Sequence, residues 1–262
     1  MQKEEEKSSV PGVWSALASG FDLTAKHPWL LLLPIVLDIF IWLGPRLRFQ
    51  TIIEQIVATL PEEAEVLTLA EQLLEVGPYT NLFSVFSVPL VGVPVLLAGL
   101  APETAPLEPR VFDISSGIAW LGLLFVVGLA GLLFTAVYYE TIASVVNKRE
   151  PESEGQAGSV VIRILRNWVR LVLLGLLFFL ITLVVYMPVS IVGAVLFLLS
   201  STLGTLVLLL APLILIWVII YLSFAPPGIF INGRPVIQAV KESLQLVQTN
   251  MAAVLAMLLL II

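Results

Sequence analysis

The sequence predicts an all-α fold: a polytopic membrane bundle of about five spans, with interfacial amphipathic helices and a structured acidic extracytoplasmic loop. Three observations predict it. The 262 residues are 59% apolar and only 12% charged, against about half and about a quarter in soluble domains. The apolar residues lie in long uninterrupted runs, and Leu171 to Phe224 holds no charged side chain. The basic residues gather in segments that such spans would place on one side.

The elements follow in order. Met1 to Ser9 is a charged tail that reads as disordered, and no removable signal peptide follows it. After Pro11, the residues Val13, Trp14, Leu17 and Phe21 recur at helical spacing. This segment is either an interfacial helix or the first turns of the next span. The first span covers about Trp29 to Gly44, includes Pro34 and Asp38, and ends at Gly44-Pro45.

Residues 49–113 form the outer loop, with amphipathic helices predicted at Thr51–Leu60 and Glu62–Val76. Asn81–Leu100 is apolar but broken by Pro89, Gly92, Pro94 and Gly99. A crossing helix must bond its own backbone, so this stretch is read as re-entrant or surface-lying. Ala101–Arg110 is a proline-rich loop. Ile114–Tyr138 is the second span, closed by Tyr138 and Tyr139 as interfacial aromatics.

A polar linker, Asn147–Gly158, leads to the basic helix Ser159–Arg170 and a third span over Leu171–Met187, with a bend at Pro188. Val189–Phe224 would be about 54 Å as one straight helix, too long for one crossing. It must bend or divide, and Ser200-Ser201-Thr202 with Gly204 is the place. One crossing is preferred there; two would give six spans. Pro235–Thr249 is another amphipathic helix, and Asn250–Ile262 enters a last span. That last piece is short: either the preceding helix completes it or the chain is a fragment. The whole of 1–262 reads as a single transmembrane domain.

Orientation follows from the cations. Lys3, Lys7, Lys26, Lys148, Arg149, Arg163, Arg166, Arg170, Arg234 and Lys241 share one side, 10 of the 13 Lys and Arg residues. The loop has only Arg46, Arg48 and Arg110, against nine carboxylates. The N-terminus is therefore cytoplasmic and the chain belongs in the cell membrane. A weak repeat agrees: an amphipathic helix, then His27, Asn167 or Asn250, then a span.

The segment LSFAPPGIFINGRPVIQAVKESLQLVQTN resembles one in a group of polytopic membrane proteins. That group includes the membrane domain of some bacterial glycerophosphodiester phosphodiesterases. Pro226, Pro227, Gly233, Ala239, Ser243 and Asn250 match the pattern, and His27-Pro28 with Pro34 is similar to the group's opening unit. The resemblance implies a membrane-helical fold and no particular activity, since these residues include no phosphodiesterase domain.

Candidate sites are few. Asp38 is the one carboxylate inside a span, where ionisation costs about 2.5 to 3.5 kcal/mol. It is either an ion, proton or substrate contact or a structural hydrogen-bond acceptor. Glu140 ends the second span within reach of Arg163, Arg166 and Arg170, which form a basic stripe suited to anionic headgroups. His27 is the single histidine, and the chain has no cysteine, so cysteine and multi-histidine metal sites are excluded and no cofactor is implied. Glu62, Glu63, Glu65, Glu71 and Glu75 read as a solvated helix face. Gly128 and Gly131 permit close helix approach. The net charge of −6 argues against nucleic acid. The expected partners are membrane lipids, with a protein partner or a second copy as alternatives.

Function is weighed among three classes. The first is a non-enzymatic membrane component organising lipids or partner proteins. The second is a transporter or channel subunit using Asp38. The third is a lipid-acting enzyme, against which the shortage of polar groups near the interface counts.

Overall fold

The computed structural model describes residues 12–60, 64–88, 90, 92–96, 109–148 and 157–261. The tail, much of the polar linker and most of the proline-rich loop lie outside these residues. Eleven α-helices and two short strands occur among the described residues.

Helix α5, Gly117–Val146, is the axis. The Ser116 hydroxyl accepts the Ala119 N–H (3.4 Å) at its start, which satisfies one of the amides a helix N-terminus leaves open. Two apolar clusters sit at its opposite ends. At one end Leu37, Leu82, Phe86, Val93, Ile114 and Val127 pack together. At the other, Ala136 and Ala143 meet Leu171, Leu174, Ala225, Ile229, Phe230 and Ala239. The first is called the loop end below, the second the basic end.

Helix α1 (Val13–Lys26) leads through a 3-10 turn, Pro28–Leu31, into α2 (Leu32–Leu43). The axis turns by 98° at His27-Pro28, where proline lacks the N–H that would continue the helix. After Gly44-Pro45, strand β1 (Arg46–Arg48) pairs in parallel with β2 (Val111–Asp113). This ladder was not foreseen. It ties the two ends of the outer loop together, so the loop leaves and returns through one neck. Inside the loop are α3 (Gln50–Val57) and α4 (Ala64–Val76), at the positions expected for its two helices. Asp113 caps α3 from the neighbouring strand: its carboxylate accepts the Gln50 N–H (3.1 Å) and the Thr51 N–H (3.3 Å), and also the Thr51 hydroxyl.

The broken apolar stretch after Asn81 contains a 3-10 helix, Leu82–Ser87. It then folds back, with the Val93 N–H donating to Phe86 O at 2.9 Å. Phe86 lies over Gly131, where a Cβ would come within 2.8 Å of its ring. The close approach expected at Gly131 is therefore real, but it admits a phenylalanine from the folded-back segment. Gly128 has nothing near its Cβ position.

Helix α6 spans Ala157–Phe197 without interruption, 41 residues with Pro188 inside it. The bend expected at Pro188 does not end the helix, so the third apolar run extends to Phe197. The division expected around Ser200 is present: α7 (Ser201–Leu208) and α8 (Leu210–Leu222) turn back along α6. Gly193 and Gly204 make the hairpin tight: a Cβ at either would lie 2.7 Å from Leu208 or Phe197. Short α9 (Ala225–Phe230) precedes α10 (Val236–Thr249) and α11 (Met251–Ile261). The axis turns by 93° between α10 and α11.

Three helical stretches are long and apolar enough to cross a membrane: Gly117–Val146, Gly158–Phe197 and Ser201–Phe230. There are five if each bent pair is one span. Their apolar side chains face outward; no more than 11% of any of the three windows is buried. A water-soluble bundle has the reverse arrangement, so the fold is that of a helical membrane protein.

Candidate functional site

The polar side chains at the basic end form one connected set. Glu140 lies near the end of α5 and is only 4% exposed. Arg163 Nε donates to its Oε1 at 3.1 Å, and Asn167 Nδ2 donates to its Oε2 at 3.2 Å. Arg170 donates to Asn167 Oδ1 (3.3 Å) and to the Gly233 carbonyl (3.2 Å). Positions 163, 167 and 170 are four and three apart, so they share one face of α6. That face meets α5 because an ionised carboxylate cannot stay buried without charged or hydrogen-bonding partners.

The basic stripe is therefore divided. Arg163 and Arg170 turn toward the protein, and Arg166 is exposed. Asn167 completes the set and carried no site assignment from sequence. Its signal was positional, since it lies on the same helical face as both arginines. Asn147, beyond the end of α5, donates from Nδ2 to Ile231 O at 3.0 Å. Together with Arg170 it pins the turn between α9 and α10.

The family-like motif builds that turn. Pro226 and Pro227 remove amides that a continuous helix would use, and the chain breaks between α8 and α9. Ser243 bridges the break: its hydroxyl donates to Tyr221 O (2.6 Å) and accepts the Phe224 N–H (3.2 Å). Gly228 lets α9 approach Ala239, 3.4 Å from a Cβ built there. Gly233 adopts a φ of +65°, where a glycine meets no steric penalty. Asn250 sits at the α10–α11 bend, and its side-chain amide donates to Leu246 O at 3.0 Å.

Beside this network lies an open groove of about 660 Å³ between α6 and the start of α10. Arg170, Leu173, Pro235, Val236, Ile237, Gln238 and Lys241 line it.

Asp38 is at the opposite end, half-buried on α2. Its Oδ2 accepts the Leu96 N–H at 3.2 Å, just past Pro94 in the folded-back segment. Arg46 is buried at the neck of the loop. Burial first, and then the charge of Arg48, hold its guanidinium below the ordinary arginine range. His27 packs edge-on against Trp29 at the first bend, centroids 4.6 Å apart. Glu71 and Glu75 are exposed on α4. Glu62, Glu63 and the side chain of Glu65 lie outside the described residues.

Fold and site together define a helical membrane protein with a buried polar lock and a basic groove at one end. Residues 80–262 match the family described as a domain of unknown function (DUF7847). The match covers more than half of the chain, which belongs to that family. No curated protein and no solved structure matches it.

Proposed function

We propose that this chain is a five-span protein of the cell membrane, with a cytoplasmic N-terminus, that organises lipids at its basic face without catalysing a reaction. One observation carries the reading. Two helices, α1 and α10, are each turned by more than 90° from the helix that follows. In a membrane, such a bend lets one helix lie along the interface while the next enters the bilayer. Helix α10 lies at the basic end, beside the arginines of α6. The orientation rests on the distribution of Lys and Arg.

Native mass spectrometry of the gently extracted protein tests this. Retained lipids on the monomer or a homo-oligomer are expected. A defined protein subunit with no retained lipid would replace the lipid reading with a scaffold for that partner.

Transport through a site at Asp38 is the second reading. The Leu96 amide on its carboxylate favours a structural tie between α2 and the folded-back segment. Ion flux in vesicles carrying the protein is expected to match empty vesicles. A flux lost on Asp38→Asn would overturn the proposal in favour of transport.

A further inference from the structure

We infer that the groove between α6 and α10 binds the headgroup of an anionic phospholipid. The inference rests on the lipid-organising reading above and names its site. Arg170 and Lys241 supply positive charge on the two walls. The hydrogen bonds of Arg170 to Gly233 O and Asn167 Oδ1 fix its position. Helix α10 has no acid in its first turn. Glu242, the carboxylate next along it, lines a neighbouring pocket instead, paired with Arg234 Nε at 3.1 Å and accepting from the Gln238 amide at the groove's edge at 2.9 Å. Charge in the groove is therefore one-signed and complementary to a phosphate.

The remaining walls are apolar. Leu173 is 50% exposed and Ile237 70% exposed, at the level where α6 passes from its basic start to its charge-free run. A soluble phosphate or an acidic peptide would use the two cations and leave these side chains in water. A phospholipid uses both, with its phosphate between Arg170 and Lys241 and its first methylenes along Leu173 and Ile237. Along the same face of α6 the exposed Leu176 and Leu180 follow Leu173, and an acyl chain can lie along them.

The test uses the full chain in nanodiscs of phosphatidylglycerol and phosphatidylcholine in equal parts, with retained lipid counted by native mass spectrometry. Four proteins are compared: wild type, Lys241→Gln, Arg166→Gln and Ile237→Ser. Among the described residues no hydrogen bond or ion pair joins Lys241 to the Glu140 network, so its variant keeps that lock. Arg166 is an exposed cation on α6, one turn from Arg170 but outside the groove. Wild type is expected to retain phosphatidylglycerol preferentially. Lys241→Gln should weaken that retention about five-fold, the effect of removing one of the two cations that face the bound phosphate. Arg166→Gln should leave it unchanged, and Ile237→Ser should weaken it without removing any charge. Equal losses in the Lys241 and Arg166 variants, or no loss in either, would overturn the groove while leaving the lipid reading intact. A wild type with no preference for phosphatidylglycerol would overturn the groove. A wild type retaining neither lipid would overturn the broader reading as well.

Discussion

Glu140 shows how much one side chain constrains this structure. It was recognisable as a candidate because it directly follows the uncharged second span and precedes a cluster of arginines. Which arginine would meet it was not readable, because that depends on the rotation of α6 against α5. Asn167 was missed for the same reason. Replacing Glu140 by Ala removes the acceptor of the buried Asn167 amide and the carboxylate beside Arg163, whose side chain is 25% exposed, which should cost about 1–3 kcal/mol. Thermal unfolding in detergent should show a marked loss, and an unchanged midpoint would mean the pair is not buried in the membrane-embedded protein. Ser243→Ala removes two backbone bonds at the α8–α9 break and should cost about 1–3 kcal/mol. Gly233→Ala forces a Cβ into the left-handed region and should cost about 1–2 kcal/mol, whereas Gly128→Ala, in open space on a helix, should not destabilise. These are read from the same unfolding curves.

Helices were the most legible elements. The uncharged runs located α5, α6 and the α7–α8 return because hydropathy reports directly on what a bilayer tolerates. The bends at His27-Pro28 and Asn250 mark two of the three repeat units. The third, at Asn167, runs straight through α6, because that asparagine turns inward to Glu140 and leaves the backbone helical. The third span was expected to close at Met187, and Pro188 lies inside α6 instead, because a long apolar helix in a bilayer tolerates one missing backbone bond. The β1–β2 ladder was unreadable, since three-residue strands have too few positions to show alternation. Asp113 is the residue that makes this neck useful, because it caps α3 across the ladder. Asp113→Ala should cost about 1 kcal/mol of local stability and increase protease cleavage within the outer loop, leaving global unfolding nearly unchanged. Equal protease resistance in both proteins would mean that the cap does not hold the loop.

At the scale of the whole molecule, α5 separates two chemically different ends. The loop end is tied by aromatic packing around Phe86 and by the Asp38–Leu96 contact. The basic end is tied by the Glu140 network and opens into the groove. A lipid-organising protein needs this asymmetry, because anionic headgroups attract cations on one face only. The asymmetry therefore depends on the topology of the chain. The chain contains no cysteine, so single cysteines can be introduced one at a time, at Glu71, Lys148, Ser200 and Lys241. Each variant is labelled in intact cells with a membrane-impermeant thiol reagent. The Glu71 and Ser200 positions are expected to label from outside, and the Lys148 and Lys241 positions only after the membrane is opened. Labelling of the Glu71 and Lys148 positions from the same side would contradict that topology.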